Sequence, residues 1–119
     1  MWSENGNLDM IIGTRGGRYQ PQLLSHFILK ILKNENLEDA MNSPRWNIDE
    51  FGKETSSELN IEPGLDVKIT NELISKGHKV NQLKDLQNSY GPISAIVNTG
   101  GSWKASHDIR VDTASSIIK

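Results

Sequence analysis

A short apolar run, a glycine-rich turn and an amphipathic helix follow one another near the start of this chain, and this succession most limits its possible folds. Residues 8–12 are mainly apolar and end at Gly13, which indicates a buried strand. Pro21 suits the first turn of a helix, where its missing N–H costs nothing. Beyond it, apolar side chains recur with the 3.6-residue helical period and polar side chains occupy the other face. The apolar positions are Leu23, Leu24, Phe27, Ile28, Ile31 and Leu32; the polar ones are Gln22, Ser25, His26, Lys30 and Lys33.

The rest of the chain predicts further helices and strands. Asn34 ends the first helix, and Asn36 begins a short second one that runs to residue 41. Asp66 caps a third helix, which Gly77 ends and which carries Ile69, Leu73 and Ile74 on one face. Strands are predicted at residues 58–62, 79–83, 93–97 and 103–106, and an exposed loop at 49–57. The order β-α-α-β-α-β-β-β indicates an α+β or layered α/β domain.

Composition excludes several classes of function. A length of 119 residues suits a single domain, residues 1–119, and 35% hydrophobic content predicts a modest core. The net charge is −2 and the basic residues are scattered, so we expect no nucleic-acid partner. No apolar run reaches bilayer length and no signal peptide is recognisable at the start, which predicts a soluble protein, with the cytoplasm slightly favoured. Cysteine is absent, which excludes disulfides and thiolate metal sites. We expect no metal or other cofactor.

The Gly16-Gly17 step is the best candidate for a functional site. Consecutive glycines let backbone N–H groups approach a ligand without a Cβ in the way, and a following helix adds positive potential. Such a turn suits an oxyanion or a phosphate. The segment is neither a P-loop nor a G-x-G-x-x-G motif. Taken alone, a Gly-Gly step more often forms a tight turn without further function, and that alternative stays open.

Other polar residues give weaker indications. His26 and His78 are predicted at the surface. The adjacent His107 and Asp108 are more suggestive, but neighbours on a strand point to opposite faces, which disfavours a catalytic pair. Three arginines either converge on an anion or, as we favour, remain solvated or pair with carboxylates; they are Arg15, Arg18 and Arg45. Three hydroxyl residues lack the surrounding motif of a nucleophile elbow; they are Thr14, Ser25 and Ser94. The sequence thus offers an oxyanion hole without an evident nucleophile.

Five segments, in order and covering nearly the whole chain, resemble the gamma-glutamyltranspeptidase family. Residues 13–17 and the helix after them resemble the family's G-T/S-P-G-G segment and following helix. Residues 37–46 resemble its E-A…A-P-R-F/W element, and residues 59–64 resemble its V-E-x-G strand and turn. Residues 73–80 resemble its L-x-x-x-G-H-x-V element, and residues 105–110 resemble its G-A-S/A-D-P-R motif. Together these matches indicate a member of that family.

The resemblance implies a fold and a chemistry. It implies a partial αββα sandwich of the N-terminal-nucleophile hydrolase type. In the family, a precursor cuts itself and frees a threonine, which attacks a γ-glutamyl amide such as that of glutathione and forms an acyl-enzyme. Water or an acceptor amine then resolves this intermediate. The same resemblance assigns the oxyanion hole to the backbone N–H groups of Gly16 and Gly17.

The departures from the family pattern bear on activity. The family's nucleophilic threonine and glutamate-binding residues lie upstream of its G-G segment, whereas only fifteen residues precede Gly16 here. Arg15 replaces a proline of the glycine segment, Ile109 replaces the proline of D-P-R, and residues 114–119 lack the family's Gly-Tyr ending. We therefore expect a C-terminal fragment of such an enzyme, inactive alone. Its partner is either the missing upstream part or a second copy of itself. The alternative is a stand-alone, non-catalytic assembly module that reuses the fold.

Overall fold

The computed structural model describes residues 1–48 and 58–112, together with the backbone of residues 117–118. The loop predicted at 49–57 and most of the 114–119 segment lie outside the described residues. In chain order the strands are β1 (Met10–Thr14), β2 (Trp46–Ile48), β3 (Glu58–Ile61), β4 (Lys79–Gln82), β5 (Ile93–Asn98), β6 (Trp103–Ser106) and β7 (Ile117–Ile118). The helices are α1 (Gln20–Leu32), α2 (Leu37–Asn42) and α3 (Val67–Ser75), and a 3₁₀ turn over Gly17–Tyr19 precedes α1.

The chain forms two compact units, each with its own small sheet. The first unit comprises Met1–Asn42 and Asn88–Lys119, and the second comprises Ser43–Gln87. In the first unit, the strand order is β1-β5-β6-β7 and every neighbouring pair is antiparallel. The second unit contains β2-β3-β4, with β2 antiparallel and β4 parallel to β3. The chain therefore contains both helices and strands, as the sequence predicts, and its strands form two small sheets.

The core of the first unit lies between its helices and one face of its sheet. Successive side chains of a strand point to opposite faces, so alternate residues of β1 and β5 face the helices. The buried cluster comprises Met10, Phe27, Leu37, Ala40, Met41, Ile93 and Ala95, with Ile12, Ile28, Ile31 and Val97 packed against it. The helical period predicts Phe27 correctly as a core residue. Two positions differ: Leu32 is 62% exposed and His26 is half-buried rather than on a solvent face.

The predicted helix boundaries are confirmed because they depend on local chemistry. Asn34 has a positive φ of 61° and donates its N–H to Ile31, while the Glu35 N–H bonds Lys30, which closes α1. The Asn36 side chain accepts the Glu38 N–H at the start of α2. The two ends of α3 follow the same logic.

In the second unit, α3 connects the parallel strands β3 and β4. The Asp66 carboxylate accepts the Lys68 N–H at the start of α3, and Gly77 has a φ of 89° just after its end. The apolar residues that share one face of α3 are not its core contacts, because Ile69 and Ile74 are 47% and 52% exposed and Thr70 is the buried residue of the helix.

The observed order of elements, β-α-α-β-β-α-β-β-β-β, contains two strands that the predicted order lacks. Each of the eight predicted elements corresponds to an observed helix or strand, whose ends differ from the prediction by at most two residues. The additional strands are β2 and β7, of three and two residues. Two or three residues are too few to show the apolar–polar alternation that indicates a strand. These strands are defined by their pairing with residues elsewhere in the chain.

Candidate functional site

The glycine turn directly continues β1. Thr14, the last residue of β1, lies opposite Ile93 of β5, and the chain leaves the sheet after it. Gly16 has φ and ψ of 132° and 12°, and Gly17 has a φ of 55°. Such positive φ values favour glycine, because a Cβ would clash with the backbone. The two glycines are therefore required by the turn that carries the chain into the 3₁₀ turn and α1.

The backbone N–H groups of Gly16 and Gly17 are the two donors that the family resemblance assigns to an oxyanion hole. Neither belongs to the β1–β5 ladder, and within the described residues neither donates a hydrogen bond to a protein acceptor. Gly16 is half-buried and Gly17 is exposed. Both N–H groups lie where a helical segment begins, so the partial positive charge of the helix end adds to their own. Donors of this kind are what an oxyanion hole requires.

A second loop, residues 90–92, packs against this turn, and the sequence patterns did not predict it. The Thr14 Oγ1 lies 2.9 Å from the carbonyl oxygens of both Arg15 and Gly91, and 3.2 Å from that of Pro92. Gly91 is buried with a φ of 54°. The only local signal of this loop is the Tyr-Gly-Pro turn chemistry just before β5. Its contact with Thr14 spans 77 residues of sequence.

Further contacts hold the turn and the loop together. The Tyr19 and Tyr90 rings form a tilted pair with centroids 6.3 Å apart, and Tyr90 is 7% exposed. A Cβ added to Gly16 would lie 3.2 Å from Leu23 Cδ1 and 3.3 Å from the Gly91 Cα. Gly16 is thus enclosed by α1 on one side and by the loop on another.

The other predicted residues do not gather at this turn. Arg15 and Arg18 are exposed beside it, whereas Arg45 is buried in the second unit. Arg45 is therefore not a solvated surface residue. His78 follows Gly77 and is exposed, as predicted. His107 is half-buried and lines an open concavity at the end of β6, together with Ile109, Arg110, Val111 and Asp112.

Asp108 is a buried residue whose carboxylate accepts hydrogen bonds from two other residues. Its side chain is 1% exposed and its Oδ2 accepts the Ile93 N–H at 2.8 Å. Its Oδ1 accepts the Arg110 N–H at 3.0 Å and Arg110 Nη1 at 3.1 Å. Arg110 Nη1 also lies 3.4 Å from the Met41 carbonyl oxygen. This buried ion pair links the start of β5 and the end of α2 to the segment after β6.

Glu62 plays a similar part in the second unit, which the sequence patterns did not predict. It is fully buried, and its two carboxylate oxygens accept the backbone N–H groups of Arg45 and Gln87, each at 2.8 Å. The Glu62 N–H in turn bonds the Arg45 carbonyl oxygen at 2.9 Å. The conspicuous acidic residue of the predicted strand and turn therefore joins three chain segments.

Residues 1–48 and 58–112 contain no group of three or more histidine, aspartate or glutamate side chains that is placed to hold a metal ion. Among the helices described, none has the length and apolar character needed to cross a membrane.

Several solved structures have a similar fold. Gamma-glutamyltranspeptidase from Pseudomonas nitroreducens superposes with a TM-score of 0.79 and 19% identity, over 98% of this chain and 59% of that chain. The Helicobacter pylori gamma-glutamyltranspeptidase T380A mutant gives 0.73 and 23%, over 92% and 57%. Cephalosporin acylase from Bacillus halodurans gives 0.82 and 23%, over 96% and 21%. The fold, with its mixed helices and two small sheets, is therefore similar to that of part of each of these chains.

The family follows from the sequence itself. Residues 1–118 match the family model described as gamma-glutamyltranspeptidase, and the chain belongs to that family. It spans somewhat more than half of the solved gamma-glutamyltranspeptidase chains that it matches. The sequence matches none of the curated proteins with which it was compared.

Proposed function

We propose that this chain is the C-terminal part of a gamma-glutamyl transferase or hydrolase and supplies its oxyanion hole. The observation that carries the proposal is that, among the described residues, the N–H groups of Gly16 and Gly17 have no protein acceptor. The two glycines lie in the segment that resembles the family's G-G segment. In amide cleavage, the carbonyl oxygen of the γ-glutamyl group becomes an oxyanion when the nucleophile attacks. Two fixed N–H donors stabilise that charge more than they stabilise the ground state.

In this proposal the nucleophile comes from outside the chain. The family resemblance implies a threonine freed by self-cleavage, upstream of the G-G segment. That threonine attacks the amide carbon, the amine leaves with a proton, and water or an acceptor amine then releases the γ-glutamyl group. The length relation to the solved structures supports a missing partner segment, because this chain accounts for 59% of the Pseudomonas nitroreducens chain. The αββα sandwich completed by both parts belongs to the same proposal.

Activity measurements test this proposal. The 119-residue chain alone should release no product from a γ-glutamyl anilide at any pH, because it lacks the nucleophile. A chimera in which this chain replaces the corresponding C-terminal segment of an active family enzyme should cut itself and release the aniline. The same chimera with its nucleophilic threonine changed to alanine is the control. Turnover by the isolated chain, or a folded and processed chimera without turnover, would contradict the proposal.

The outer face of the first sheet supports the need for a partner. Ile11 and Ile96 lie opposite each other in the β1–β5 register and are 53% and 42% exposed. Within the described residues β1 has a strand neighbour on one side only. Met1 exchanges hydrogen bonds with Met10 at the start of β1, and the rest of this edge can template pairing with another chain. Because exposed apolar patches often mark contact sites, these two side chains favour a partner that covers this face of the sheet.

Without the upstream part, we expect the isolated chain to cover this face with a second copy. Light scattering at low micromolar concentration should show a homodimer or larger oligomer, whose interface buries more than about 1,000 Å². Ile96→Lys should shift the population towards monomer, whereas the same change at exposed Ile74, in the second unit, should not. A wild-type chain that is folded and sharply monomeric would contradict this expectation and favour the stand-alone module.

A further inference from the structure

We propose that Thr14 and Gly91 are positioning residues that aim the Gly16 N–H at the oxyanion. The inference rests on the function proposed above, since it concerns the same turn. It adds two residues, one at the end of β1 and one in the loop before β5, which would act on catalysis through the backbone of Gly16. Neither would touch the substrate itself.

The physical link is a single peptide group. The Arg15 carbonyl and the Gly16 N–H belong to the same planar unit, and the structure contains no cis peptide bond in its described residues. In a trans peptide the oxygen and the hydrogen point in opposite directions. Whatever fixes the Arg15 oxygen therefore also fixes the direction of the Gly16 N–H.

Thr14 fixes that oxygen from one side. Its hydroxyl lies within 2.9 Å of the Arg15 and Gly91 carbonyl oxygens and 3.2 Å from that of Pro92. One hydroxyl hydrogen is thus set among three acceptors, and it offsets the mutual repulsion of their partial negative charges. Removing the hydroxyl would leave the three oxygens facing one another without this donor. The Arg15 peptide would then rotate to relieve the repulsion.

Gly91 confines the same peptide by close approach. A Cβ on Gly91 would overlap the Arg15 carbonyl oxygen and lie 2.6 Å from Thr14 Oγ1. Gly16 itself is bounded by Leu23 and the Gly91 Cα, as described above. A Cβ added to Gly17 would instead meet nothing within 4 Å. The Gly17 N–H belongs to a different peptide group, whose oxygen on Gly16 accepts the Tyr19 N–H at 3.1 Å. The contacts of Thr14 and Gly91 with the Arg15 oxygen therefore bear on the Gly16 N–H.

Residual dipolar couplings of the ¹⁵N-labelled full chain test the positioning directly, because they report the direction of each N–H bond. In wild type and Thr14→Ser, the Gly16 coupling should fit the orientation given by the amides of β1, β5 and α1. In Thr14→Val and Gly91→Ala it should depart from that fit, while the couplings of the strands and the helix remain. Gly100→Ala is the matched control. It places alanine at a φ of 79° in the same unit, where a Cβ meets nothing within 4 Å, so the Gly16 coupling should not change.

An unchanged Gly16 coupling in folded Thr14→Val would overturn the proposal. If Gly91→Ala fails to fold, the comparison of valine with serine at residue 14 still decides it. A second measurement uses the active chimera: Thr14→Val should lower kcat by up to the 100- to 1,000-fold typical of losing one oxyanion donor, with little change in KM, and serine should restore kcat. A changed coupling with an unchanged kcat would also overturn the proposal. An inactive wild-type chimera would instead contradict the proposed function, and the couplings would still decide whether the two residues set the Gly16 direction.

Discussion

Replacing Asp108 with asparagine should destabilise the protein by about 3–5 kcal/mol, the typical cost of removing one partner from a buried ion pair. The substitution removes the Asp108 negative charge from beside the buried Arg110 guanidinium; the Asp108 and Arg110 side chains are 1% and 0% exposed. The asparagine also cannot accept hydrogen bonds on both of its terminal atoms. Its NH₂ group would therefore face a donor, either the Ile93 N–H or the groups of Arg110. A loss of this size is a large fraction of a small domain's total stability.

Urea unfolding followed by circular dichroism measures this loss. The control is Glu72→Gln, which removes the 2.7 Å ion pair between Glu72 and Lys76 on the surface of α3, where both side chains are 64% exposed. Exposed helical pairs contribute only about 0.3–0.5 kcal/mol, so the control should barely move the midpoint. Equal and small effects of the two substitutions would mean that Asp108 does not hold β5, α2 and the segment after β6 together.

Features with local causes could be predicted from the sequence. The strand, glycine turn and helix at the start of the chain each follow from a few adjacent residues. The positive φ of Asn34 and the cap formed by Asp66 likewise need only their own neighbours. The family assignment was also predictable, because five short motifs occur in order. These features are confirmed by the fold and by the match over residues 1–118.

Features with distant causes could not be predicted. The Thr14 hydroxyl meets the Gly91 carbonyl across 77 residues, and the Glu62 carboxylate meets the Gln87 N–H across 25. Sequence periodicity reports which side of an element is apolar, but not what covers it. It therefore placed Leu32, which is 62% exposed, on the apolar face of α1, and predicted a solvent-facing His26, which is half-buried. The short strand β2 also depends on pairing with β3 rather than on its own pattern.

The candidate site also contains features with local causes and features with distant causes. The two glycines are evident in the sequence because positive φ values require them, whereas the residues around them are brought in by the fold. The carry-over of the oxyanion hole to Gly16 and Gly17 remains a prediction. Arg15 in place of the family's proline does not prevent the turn from forming, because the turn depends on the φ angles of the glycines and on the Arg15 backbone.

Removing one N–H group at a time tests the proposed oxyanion hole most directly. Replacing the amide nitrogen of Gly16 or Gly17 by an ester oxygen deletes one donor while keeping the chain shape. Because the chain contains no cysteine, ligation at residue 40 through a temporary cysteine, followed by desulfurisation, restores the native Ala40. Each modified chain is then assembled with the nucleophile-bearing part of a family enzyme.

The measurement is kcat and KM for a γ-glutamyl anilide, with an ester at Gly101 in the β5–β6 turn as the control. We expect each ester at Gly16 or Gly17 to lower kcat by about 100- to 1,000-fold with little change in KM, because the lost donor acts on the transition state. In the native chain the Gly101 N–H makes a long, 3.4 Å hydrogen bond to Asn98 Oδ1. Replacing it by an ester should therefore leave kcat nearly unchanged. Unchanged kcat with the esters at Gly16 and Gly17 would contradict the assignment of the oxyanion hole to this turn.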